Sequence, residues 1–165
     1  MKKVTANRKA LHQIVAVLVS TVAVLSVATA AHASSASGGS NYYDGKNPAT
    51  TKDSANVFCN VNASQIATRP IIDRNGQNVA SIQIFYSRSC QSNWIRVTAN
   101  PYGGNTNKNI FSSLGGWNSE SDPGYQSSYT MMVYAPGTTH INGDVTLWEP
   151  GPNEYNYKAS GSFSL

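Results

Sequence analysis

An all-β fold is the class this sequence predicts: a single antiparallel sandwich or small barrel of about seven or eight strands carrying one disulfide. Three observations predict it. From about residue 55 onward, apolar side chains recur with period two in several short windows. Asn-Gly, Gly-Gly and Pro-Gly pairs punctuate those windows. Beyond residue 33 no segment sustains a 3.6-residue period, and no repeat of solenoid or propeller type occurs. Short strands at this turn spacing suit a sandwich or a barrel equally, and the pattern leaves both open.

The elements follow in chain order. Lys2, Lys3, Arg8 and Lys9 precede an uncharged, largely apolar run over residues 14–30, and Ala31-His32-Ala33 places small side chains before Ser34. This is the order of a secretory signal peptide, so residues 1–33 are expected to be a leader cleaved after Ala33. The apolar run is near the lower limit for spanning a bilayer, but its small-residue exit favours cleavage over a retained anchor. No Cys near that point could take a lipid.

Subtracting the leader changes the charge argument. It holds four of the twelve basic residues and none of the eight acidic ones, so the remainder is neutral. The pI of about 9.1 therefore gives no reason to expect nucleic acid as a partner, since such binding needs a basic patch. Membrane contact is expected only during export.

Residues 34–53 are rich in Ser, Gly, Asn and Thr and read as a flexible polar lead-in, with the secreted β domain at 54–165. Val57, Cys59 and Val61 alternate with Asn56, Asn60 and Asn62, which predicts a first strand with Cys59 inward. Residues 66–73 and 78–86 flank Asn75-Gly76, whose positive φ angles predict a tight hairpin. In the second of these strands Ala80, Ile82, Ile84 and Tyr86 share one face, and Cys90 keeps that parity if the strand continues. Residues 94–99 read as another strand, 101–124 as a long loop, and 128–135 as strand again. Asn142-Gly143 marks a second hairpin between 138–141 and 144–148, and alternation over 155–165 closes the domain.

Cys59 and Cys90 are the two cysteines, and export makes their pairing the default. A loop of that length stabilises the fold by roughly 3 to 4 kcal/mol in the chain-entropy model. A nucleophilic thiol would need a nearby His, and beyond the leader the sequence offers only His140.

Several segments carry a resemblance to a known family. Asp44-Gly45-Lys46-Asn47-Pro48, Cys59, residues 66–71, the core Tyr86-Ser87-x-x-Cys90-x-x-x-Trp94-x-Arg96 and, more faintly, Met132-Val133-Tyr134 resemble the YjfA-like secreted proteins of Gram-positive bacteria. That family is a domain of unknown function, number 2690. The resemblance covers about half of the exported part and fades from Gly137. It implies export and a Cys59–Cys90 bond, and it implies no activity.

Trp94 and Arg96, two apart on a strand, face one side and could offer a stacking and hydrogen-bonding platform to a glycan or peptide. Tyr86 joins them as a candidate binding residue. The competing reading packs Trp94 on the disulfide with Arg96 capping it. Nine Tyr and three Trp among many small polar residues suit a recognition surface, and equally an ordinary extracellular β domain.

Catalytic signatures are weak. Asp144, Glu149 and Glu154 could form a carboxylate pair near the last turns, but a Gly-x-Ser-x-Gly elbow for a triad with His140 is absent. Asn118, Glu120 and Asp122 loosely suggest a Ca²⁺ loop, without the closing bidentate acid, and a plain polar loop is the simpler reading. No Cys/His cluster suits zinc. The expectation is therefore a secreted non-catalytic binding module for a cell-surface glycan or extracellular protein, needing no cofactor or metal. A small secreted hydrolase and a secreted inhibitor or antibacterial effector are the alternatives.

Overall fold

Alternating sequence becomes strand in the computed structural model, which describes residues 33–37, 41–151 and 156–165 and holds no helix among them. Apart from Ala33, the expected leader lies outside the described residues. The strands are β1 (Ala33–Ser37), β2 (Ala63–Asp73), β3 (Asn78–Ser87), β4 (Ser92–Val97), β5 (Asn105–Ser112), β6 (Trp117–Pro123), β7 (Ser128–Tyr129), β8 (Val133–Tyr134), β9 (Ile141–Trp148) and β10 (Tyr157–Ser164). They form one sheet in the order β1-β6-β5-β9-β10-β2-β3-β4-β7, with β8 also on β4. Every pairing is antiparallel.

The sheet curls into a nearly closed barrel around one apolar core. Ile71 of β2, Ile82 and Ile84 of β3, Ile95 and Val97 of β4, Ile110 of β5, Val133 of β8, Val145 and Leu147 of β9, and Ala159 and Phe163 of β10 all meet there. The ladder stops between the β5–β6 hairpin and β7–β8. Side chains bridge that seam: Ser112 Oγ donates to Tyr134 O at 2.7 Å, Asn118 Oδ1 accepts the Met131 N–H at 3.0 Å, and Lys108 Nζ donates to Ser128 Oγ at 3.0 Å.

The β2–β3 hairpin falls where Asn75-Gly76 places it, but only Gly76 has a positive φ, of 78°. Asp73 N–H donates to Gln77 O, and Gly76 N–H to Asp73 O. This is the three-residue hairpin with a glycine bulge rather than the two-residue turn. The β5–β6 turn repeats it, with Gly115 at φ 94° and the Ser112–Gly116 and Gly115–Ser112 bonds in the same places.

Four expected elements differ. Residues 54–62 are turns instead of a first strand: the Asp53 carboxylate accepts the Ala55 and Val57 N–H groups, Asn56 takes φ 62°, and Val61 is 63% exposed. The expected loop at 101–124 contains β5 and β6, whose inward positions other than Ile110 are filled by polar side chains. The expected strand at 128–135 is two short bridges, because between them the Thr130 hydroxyl accepts the Ile95 N–H at 3.2 Å. Asn142-Gly143 is no hairpin turn and lies inside β9. A Cβ on Gly143 would stand 2.3 Å from the Asn109 carbonyl oxygen of β5 and 2.6 Å from the Phe163 ring, so this glycine supplies space.

Ahead of the barrel strands, residues 41–53 run across β8. Gly45 N–H donates to Met132 O, Met132 N–H to Lys46 O, and Tyr134 N–H to the Asp44 carboxylate at 2.6 Å.

Candidate functional site

Cys59 and Cys90 form the disulfide, but on the far side of the sheet from the main core. Because β3 ends at Ser87 and residues 88–91 form a turn, strand parity is lost before Cys90. The bond joins Trp94 and Met132 in a second buried cluster, packed by Tyr43, Ala63, Phe85 and Tyr129. The single shared core expected from parity is thus replaced by two layers, with β3 and β4 between them.

Trp94 and Arg96 lie on this outer face, as their spacing requires. Trp94 pairs across from Phe85, and their rings stack at 5.7 Å with planes 10° apart. Trp94 is only 5% exposed, so it is mainly packed against the disulfide layer. Arg96 is exposed, lies opposite Tyr129 on β7, and donates to Ser127 Oγ at 3.2 Å.

Between this face and the 41–62 segment runs an open groove of about 370 Å³. Phe85, Trp94 and Tyr129 supply its aromatic surface, Pro48, Ala49 and Ala63 its aliphatic one, and Asn60, Ser127 and Arg96 its polar one. Asn47 Nδ2 donates to the Tyr129 hydroxyl at 3.2 Å and fixes that ring. The lining has one cation and no carboxylate. Phe85 and Tyr129, both half-buried, present more ring surface than Trp94 does. Neither was singled out in the sequence, although Phe85 is the outward neighbour of Ile84 and the direct partner of Trp94.

Tyr86 points away from this groove, because it occupies the other face of β3. Its hydroxyl accepts the Gly137 N–H at 3.2 Å, and the ring lines a separate surface hollow with Ile66, Asn93 and Leu165.

Of the acidic candidates, the two described ones each have polar partners of their own. Asp144 accepts from Asn109 Nδ2 at 3.0 Å; Glu149 binds Lys158 at 2.6 Å and Asn156 at 2.8 Å; Glu154 lies outside the described residues. Exposed His140 meets Ser164 Oγ at 3.2 Å. Asn118, Glu120 and Asp122 do not form a loop of either kind expected: they are buried on the inward face of β6. Among the described residues no group of three or more His, Cys, Asp or Glu is placed to hold a metal ion.

Residues 41–141, more than half of the chain, match the model of a family described as proteins of unknown function (DUF2690), and the chain belongs to that family. No curated protein and no solved structure matches. The matched segment includes every residue that lines the groove.

Proposed function

We propose that this DUF2690 protein is a secreted, non-catalytic binding module and that the groove between residues 41–62 and the β3–β4–β7 face takes a cell-surface glycan bearing an acidic group. Within the family it is read as one of the YjfA-like exported proteins of Gram-positive bacteria. The observation that carries the reading is the groove's chemistry: ring faces of Phe85 and Tyr129 beside a single guanidinium, with amide and hydroxyl groups at the rim and no acid to repel an anion. Sugar rings offer C–H faces to aromatic planes, and Arg96 would clamp a carboxylate by charge-assisted hydrogen bonds.

A glycan suits this groove better than an extended peptide. Peptides that join a sheet need a free strand edge, and here β7, β8 and the Thr130–Ile95 bonds occupy the outer edge of β4. The disulfide supports an oxidising destination, in line with the leader pattern at residues 1–33.

Sedimentation of the purified protein with isolated Gram-positive cell walls, and titration with their acidic polysaccharide, tests the reading. Binding should fall at least about tenfold in Arg96→Ala, the loss of one charge-assisted contact, and comparably in Tyr129→Ala, with unchanged circular dichroism. Wall and polysaccharide binding that is absent, or indifferent to both substitutions, overturns it. Capture of a secreted protein through the same residues would replace the glycan by a protein partner.

A further inference from the structure

Inside the β5–β6 hairpin lie three ionisable side chains remote in role from the groove. Lys108 is fully buried, and Glu120 and Asp122 nearly so. In the antiparallel register Lys108 faces Glu120 directly and Thr106 faces Asp122. Asp122 is therefore the diagonal neighbour of Lys108 on the same inward face. The Lys108 ammonium touches the Asp122 carboxylate, and two more acceptors, Thr106 O at 3.2 Å and Ser128 Oγ at 3.0 Å, hold it there.

We propose that Lys108 and Asp122 condense into an intramolecular amide, with Glu120 carrying the proton, so that the folded protein bears an isopeptide cross-link between β5 and β6. One proton transfer converts the ion pair into a neutral amine beside a protonated carboxyl. The lone pair of Lys108 Nζ attacks Asp122 Cγ, and an N–C bond forms. Glu120 takes the proton that the nitrogen gives up and passes it to the departing oxygen, and the Cγ–O bond breaks. The products are one amide and one water, so no oxidant, reductant or cofactor is consumed.

Burial favours each part of this step. Held side by side, the two groups react at an effective molarity that reaches about 10⁵ to 10⁸ M in well-oriented systems. Desolvation pulls the Lys108 pKa below its ordinary value, opposed by its hydrogen bond to Asp122 and by the charges of Asp122 and Glu120, and so favours the nucleophilic amine. Replacing two buried charges by a neutral amide also removes their desolvation cost.

The test is the intact mass of the reduced, purified protein, compared with that of a linear polypeptide whose first residue is read by N-terminal sequencing. The expected result is a stoichiometric deficit of one water, with proteolysis releasing a branched peptide that joins Lys108 to Asp122. Lys108→Arg and Asp122→Ala should run at full linear mass, and Glu120→Gln should accumulate folded, uncross-linked protein. Full mass in the wild type overturns the proposal, as does a missing water that maps elsewhere, for example to a succinimide at Asp44-Gly45. A cross-link as complete in Glu120→Gln as in the wild type removes Glu120 from the reaction. The wild-type measurement needs no variant to fold.

Discussion

The barrel has two interiors built on opposite principles. Between β2, β3, β4 and β10 the core is made of Ile, Val, Ala and Phe side chains, held chiefly by burial. Between β5 and β6 they include Thr106, Lys108, Asn118, Glu120 and Asp122, all buried, held by directed contacts. The apolar interior tolerates loss in proportion to volume. The polar one depends on both members of each pair being present, because removing one leaves the other desolvated.

Substitutions that break this contrast rank as follows. Lys108→Ala should cost at least about 3 to 5 kcal/mol, since Asp122 is left buried with neither an amide nor an ammonium for a partner. Adding Asp122→Leu to Lys108→Met should cost less than either single change, a non-additivity that denaturant midpoints of the cycle measure. Ile84→Ala in the apolar interior should cost about 2 to 5 kcal/mol, and should add to Lys108→Ala only as far as the two interiors are independent. Gly143→Ala, on the strand that joins them, should cost about 1 to 3 kcal/mol by overpacking against the Asn109 carbonyl of β5 and the Phe163 ring.

The smallest effect lies outside both interiors and concerns acid. Hydrogen bonds from the Val57 backbone, then from Ser89, hold the Asp53 carboxyl below its ordinary pKa against the opposing effect of desolvation, and a bond from Ala55 adds the least. A depressed folded-state value means that Asp53 contributes stability above its unfolded pKa and loses it as pH falls through the folded one. Asp53→Asn should therefore lower stability at neutral pH and leave it little changed in strong acid, which flattens the acid limb of a stability-against-pH curve. A limb identical to the wild type would dissociate this turn from acid sensitivity.

The same contrast explains which parts of the fold were legible. β3, β4 and β10 could be read because period two coincided with apolarity: Ile82 and Ile84, or Ala159 and Phe163, advertise their face. β5 and β6 could not, because Lys108, Glu120 and Asp122 read as solvent-facing by type. A signal was nonetheless present, in Lys108 on one side of Gly115-Gly116 and the acids Glu120 and Asp122, two residues apart, on the other. Gly143 misled for a different reason: its close approach to the Asn109 carbonyl and the Phe163 ring is invisible until β5 and β10 are laid beside β9.

At the candidate site, the Trp94–Arg96 pairing follows from strand spacing alone, and the structure places both on one groove. Tyr86, one residue from Phe85, falls on the opposite face. The placement of Cys90 beside Phe85 and Trp94 depends on the turn at residues 88–91, where parity no longer transmits. The contribution of residues 41–53 was also hidden, since Asp44 acts through the distant Tyr134 N–H rather than through any local pattern.

The strand order also sets a sequence of events for folding. β2–β3–β4 and β5–β6 are local meanders that can form from neighbouring residues, yet in the sheet β9 and β10 stand between them. Until residues 141–164 arrive, the two meanders have no common ladder and each exposes an unpaired edge. Closure must then pair β10 with β2 across nearly ninety intervening residues, a high-contact-order step that slows folding. The last-made strands are thus the keystone of the arch, and a pulse-labelled hydrogen-exchange experiment should find β2 and β5 gaining protection on one side well before the other.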